Sequence, residues 1–161
     1  MHERIFELSS KPVARDMRLC LDDIPDSFFN TIADYGDDIE EKYRDEEIKC
    51  FVTSFSGLCV RDGDKLTFAP DTCEKLFRSK YSRFLEAAAR LGAYSYEAFC
   101  GKTGFYQLDM EVFELNKAFE DKFDTYVYNP ETLELKSLTA WLRTEDLSKT
   151  WYVGGIVDYH W

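Results

Sequence analysis

Leu58-Cys59-Val60-Arg61-Asp62-Gly63-Asp64-Lys65-Leu66-Thr67-Phe68 reads as a β-hairpin, two short apolar runs around an Asp-Gly turn. Asp-Gly supplies the positive backbone angles of a tight turn whose twist suits antiparallel strands. An antiparallel sheet is therefore expected. Directly downstream, Leu76, Phe77, Tyr81, Phe84, Leu85, Ala88 and Leu91 recur at helical spacing. Asp71 and Glu74 make a starting cap and Gly92 follows the end, which predicts a helix over Pro70–Leu91.

Tyr94–Cys100 reads as a short helix ending at Gly101. Gln107–Phe123 fits an alternating pattern in part and a helical one over a longer span, predicting a helix from about Asp109. Thr125–Tyr128, Asn129-Pro130-Glu131-Thr132 and Leu133–Leu135 read as strand, turn and strand. Trp151–Trp161 is a closing strand in which Gly154 and Gly155 mark a bulge or a close approach. Upstream of the hairpin, residues 1–20 form an extended or mixed arm that turns at Lys11-Pro12. A short helix is expected over Asp26–Ala33, closed by Gly36. A second is expected over Asp37–Glu47 with Ile39 and Tyr43 inward, then a β-rich run over Ile48–Phe55. Strands, helices and strands in that order predict an α+β fold, an antiparallel sheet of hairpins packed against several helices. At this length one compact domain over residues 1–161 is expected.

Charge is distributed unevenly. Between Asp22 and Glu47 lie eleven carboxylates and two bases, Lys42 and Arg44, so this stretch carries −9 of a net −11. A surface of one sign selects partners of the opposite sign. It also repels phosphates and anionic lipids, so neither nucleic acid nor a membrane is an expected direct ligand. The one concentrated basic surface is the outer face of the Pro70–Leu91 helix, with Lys75, Arg78, Lys80, Arg83 and Arg90.

The sequence offers no catalytic set. His2 sits at a terminus expected to be mobile, and His160 on a strand beside Trp161, while general acid–base work most often uses a well-placed histidine. Cys100, with Lys102 two residues on, is the best nucleophile by context, but it ends an apolar helix face and reads as core. Gly101-Lys102-Thr103 matches only the tail of a phosphate loop, since Tyr96 stands where the first glycine belongs. The acids of Asp34–Glu41 lack the alternating spacing of a calcium loop. Five cysteines with no CxxC pair fit neither a zinc ribbon nor a disulfide framework, which predicts reduced thiols. With no signal peptide and no apolar run near membrane-spanning length, a cytoplasmic protein without metal or cofactor is expected.

The expected function is therefore that of a non-enzymatic binding protein whose acids occupy a basic surface of a partner, such as a nucleic-acid-binding protein or nuclease. The candidate contact residues are Asp34, Asp37, Asp38, Glu40, Glu41, Asp45, Glu46 and Glu47, with Phe28, Phe29, Tyr35 and Tyr43 as aromatic anchors. In size and charge the chain resembles the small acidic inhibitors that phages and mobile elements direct against restriction or CRISPR nucleases. That likeness implies nucleic-acid mimicry and is carried by no motif. Two other readings compete with it. In one, the acidic segment pairs with the basic helix, within one chain as complementary solvated faces or between two as a homodimer. In the other, the protein is a small hydrolase using carboxylates or Cys100.

Overall fold

Trp151–His160 forms the longest strand, β7, and most of its side chains are buried on both faces. Burial on both faces marks a central strand, and the pairing agrees. In this computed structural model, which describes residues 1–161, β7 runs antiparallel to β1 (His2–Ser9) along most of its length. β1 pairs in parallel with β5 (Tyr126–Asn129), which forms a hairpin with β6 (Glu134–Ser137). On the other edge of β7, two strands share its length. β4 (Lys65–Phe68) takes the start, with β3 (Cys59–Asp62) beyond it, and β2 (Tyr35–Asp38) takes the end. The sheet thus has seven strands and one parallel pair.

The hairpin and the α+β class are as expected, with Gly63 at φ +61° in the turn. The helices are α1 (Asp26–Thr31), α2 (Glu41–Ser54), α3 (Thr72–Leu91), α4 (Tyr96–Phe99), α5 (Phe105–Glu120) and α6 (Leu138–Thr144). One stretch departs from expectation. The helix foreseen over Asp37–Glu47 starts later, and the run Ile48–Phe55, expected to be a strand, is its second half. Arg44, Ile48, Phe51 and Phe55 fall four, three and four residues apart and are all buried, so one helical face packs inward. Packing overrides the β-preference of the residues in that run. Tyr43, expected inward, is 53% exposed, and Ile39 instead donates its amide to the Ile156 carbonyl at 3.1 Å.

The chain divides into two compact units, residues 1–73 with 122–161, and residues 74–121. The first contains the sheet. Ile5, Tyr126, Val157 and Tyr159 form a core on one face with Phe28 of α1, whose ring meets Tyr126 and Tyr159 edge-on. Phe6 lies on the other face, where Phe51 of α2 packs on it at 4.4 Å between ring centres. From there Phe55, Phe68, Trp141 of α6 and Trp151 continue one line of ring contacts. The second unit is helical, with Phe84 of α3 against Phe119 of α5, Arg90 bonded to Glu111, and Lys80 to Asp121.

The glycine pair in β7 makes both a bulge and a close approach. Phe6 faces Ile156 and Leu8 faces Val153, so Glu7 stands opposite both Gly154 and Gly155. The Glu7 carboxylate is buried and accepts hydrogen bonds from Gly155 N at 2.6 Å and Leu19 N at 2.8 Å. A Cβ at Gly154 would overlap that carboxylate, and one at Gly155 would overlap the Leu19 backbone. On the far edge of β7, in the gap between β4 and β2, Arg44 donates to the carbonyls of Val153 (2.6 Å) and Gly154 (3.0 Å). Its third bond goes to Asp64 at 2.6 Å. The side chain thus stands in for a missing stretch of strand.

Candidate protein-binding surface

The eleven acids of the Asp22–Glu47 stretch do not form one uniform patch. Those on α2 are largely matched. Glu47, half-buried, holds Arg4 through two bonds of 2.9 Å, and Arg4 also bonds Asp158. Although partial burial works against its charge, Arg4 is held charged above its ordinary range by Glu47 and Asp158. Glu41 accepts from Arg18 at 2.9 Å, which holds its carboxyl below the usual range. Asp45 pairs with Arg61 at 2.5 Å, Glu40 with Lys42 at 2.8 Å, and Glu46 with Lys49 at 3.5 Å. These cations come from β1, the arm after it, β3 and α2 itself. Arg44, one of the two bases within the run, points into the core.

Five acids have no cationic partner: Asp22, Asp23, Asp26, Asp37 and Asp38, all exposed. They lie on a short 3-10 turn at Leu21–Asp23, at the start of α1, and on β2. Asp38 draws the turn and the strand together by accepting from Leu21 N at 2.6 Å, and Asp23 bonds Cys20 N at 2.9 Å. β2 pairs with β7 along one edge, and a charged strand of this kind resists adding a further strand. Asp37 sits directly opposite Asp158, a like-charge pairing that Arg4 and His2 relieve from the Asp158 side.

The candidate aromatics separate in the same way. Tyr35 is 46% exposed on β2, two residues before Asp37, and Tyr43 is exposed on α2. Phe28, foreseen as a contact residue, is 6% exposed, because its ring is the piece of α1 that the core needs. Phe29 is half-buried against it. Asp22, Asp23 and Asp26 were not singled out as contact residues from the sequence. Their signal was the absence of a nearby base, which becomes visible once the arginines are placed.

The two histidines meet at this end of the sheet. His2 is a strand residue rather than a mobile end, registered opposite His160, with 5.1 Å between ring centres. His2 Nδ1 lies 2.8 Å from Asp158 and His160 Nδ1 lies 2.8 Å from Asp34, whose carboxyl His160 holds below its ordinary range. Tyr35 stacks on His160, and its hydroxyl is 3.4 Å from His2 Nε2. A shallow cleft of about 270 Å³ beside His2 is lined by Arg4, Glu47, Cys50 and Ser54 among others. Glu47, Asp158 and Asp34 are each engaged with a cation or an imidazole, so the cluster orders the Tyr35 end of the acidic surface.

Cys100 is exposed at the end of α4, and Gly101 and Gly104 bracket the loop to α5 in left-handed conformations. The thiol of Cys59 is buried and pushed up to about 11. No group of three or more His, Cys, Asp or Glu side chains is placed to hold a metal ion, and no helix is long and apolar enough to cross a membrane. No protein family model matches the chain, and no curated protein or solved structure shows significant similarity to it.

Proposed function

We propose that the chain is a non-enzymatic binding protein whose acidic surface occupies a basic, nucleic-acid-binding surface of a partner protein and thereby blocks it. The observation that carries this reading is the set of five exposed carboxylates without a cation, Asp22, Asp23, Asp26, Asp37 and Asp38, with the exposed ring of Tyr35 on the same strand as Asp37 and Asp38. Most other acids of the run have a cation, so the fold can match carboxylates where matching serves stability. Leaving five unmatched on neighbouring elements costs self-repulsion and creates a negative potential. A partner whose lysines and arginines are spaced for phosphates supplies the missing cations, with fast, salt-sensitive association. Tyr35, braced by His160, gives the contact a rigid aromatic anchor. An inhibitor of a nuclease fits this chemistry.

Self-association of the acidic segment with α3 has less support, because Arg78, Lys80 and Arg90 already pair with Glu74, Asp121 and Glu111. The test is capture on immobilised protein from a nuclease-treated lysate at about 50 and 500 mM salt, spanning weak and strong screening. The captured protein is then titrated with labelled DNA or RNA. The reading expects a nucleic-acid-binding protein held at low salt and displaced from its nucleic acid by this chain. It also expects both effects to vanish in an Asp22→Lys/Asp26→Lys/Asp37→Lys variant. Capture that ignores salt and these three substitutions refutes it.

A further inference from the structure

The unit spanning residues 74–121 has eight acids and seven bases, so it is almost neutral while the rest of the chain carries the net charge. It also carries ten of the sixteen large apolar side chains that the chain exposes. Within the unit, α5 is apolar on two sides. The side with Glu111, Leu115 and Ala118 is turned towards α3, where Glu111 takes Arg90 at 2.8 Å and Ala118 is buried. The opposite side carries Tyr106, Met110 and Phe113, spaced four and three residues apart. With Tyr96, Phe99 and Phe105 at the α4–α5 end they are between 41% and 75% exposed. Together these six expose the equivalent of about three and a half free side chains, of which the three on the α5 face itself account for about one and a half, or roughly 300 Å² at aromatic size. A monomer's largest apolar patch is about 300–600 Å², and a standard interface covers about 800 Å² per partner.

Two charges flanking Phe113 on this face are self-complementary. Asp109 and Lys117 lie four residues before and after Phe113, and neither has an ion-pair partner in the chain. A two-fold axis at Phe113, with the two α5 helices antiparallel, sets Asp109 of each copy beside Lys117 of the other. Phe113 then meets its own image. We propose that the chain forms a symmetric homodimer through this face of α5. The contact is isologous, and it joins two nearly neutral units.

Sedimentation velocity of the full chain from about 1 to 100 µM tests this over the affinity range of ordinary interfaces. The 18.9 kDa chain is expected to sediment as a dimer at the upper end. Phe113→Asp is expected to leave a folded monomer by circular dichroism. Asp109→Lys and Lys117→Asp are each expected to weaken the dimer about tenfold, and the two together to restore it, since each change makes two like-charge contacts. A wild-type monomer throughout overturns the proposal. So does a folded Phe113→Asp dimer, or a double variant no tighter than the singles. Loss of the dimer on Asp37→Lys but not on Phe113→Asp also overturns it, by placing association on the acidic surface.

Discussion

Replacing Arg44 by methionine keeps most of the buried stem and removes three hydrogen bonds, to Val153 O, Gly154 O and Asp64. Asp64 retains Arg18 at 3.3 Å, so its loss is partial. The two carbonyls fall in the gap between β4 and β2, where no neighbouring strand supplies donors. An orphaned buried acceptor costs about 1–3 kcal/mol. Two of them, offset in part by no longer burying a guanidinium, give a net loss of about 3 kcal/mol. For a chain of this length that corresponds to roughly 6–12 °C in melting temperature. Arg44→Lys, which can reach one carbonyl with a single ammonium, should recover part of the loss. Urea unfolding followed by tryptophan fluorescence reads both variants. If Arg44→Met lies within about 0.5 kcal/mol of wild type, the ordinary scatter of surface substitutions, the guanidinium does not bridge the sheet and the reasoning fails.

Gly155→Ala drives a Cβ into the Leu19 backbone and should cost about 3 kcal/mol or more. Gly154→Ala meets only the end of the Glu7 side chain and should cost less; equal melting temperatures would contradict the close approach. Asp37→Asn removes an unmatched charge and should gain a few tenths of a kcal/mol at low salt. Asp38→Ala also breaks the bond to Leu21 N and should lose about 1 kcal/mol. The opposite order in thermal melts would refute the assignment of their roles. With a thiol reagent at pH 8, exposed Cys50 and Cys100 should react first, and Cys59, buried and pushed up to about 11, only on unfolding. Labelling of Cys59 as fast as Cys50 would contradict its burial.

The hairpin at Asp62-Gly63 and the long helix α3 were legible in the sequence because their signals are local: turn chemistry in one, a sustained helical period in the other. The glycines of β7 were also readable as a special place, although their cause, a carboxylate five strand pairs from the chain start, was not. Ile48–Phe55 was misread because a short apolar run fits both periods, and the choice is made by what it packs against. The acidic surface was legible as a sum and illegible as a pattern. Which carboxylates remain unmatched depends on where Arg4, Arg18 and Arg61 arrive, and these come from elements distant in sequence. The histidine cluster was missed for the same reason, since His2 and His160 meet through strand pairing across nearly the whole chain.

Binding to poly-L-lysine, a defined cationic probe, separates the matched from the unmatched acids without needing the partner. Two variants of equal net charge are compared with wild type by calorimetry over a salt series. One neutralises Asp22, Asp26 and Asp37, and the other neutralises Glu40, Asp45 and Glu46, which already hold Lys42, Arg61 and Lys49. If the unmatched carboxylates form the binding surface, the first variant loses more affinity and shows a flatter salt dependence than the second. Equal losses, or a larger loss in the second, would contradict the account.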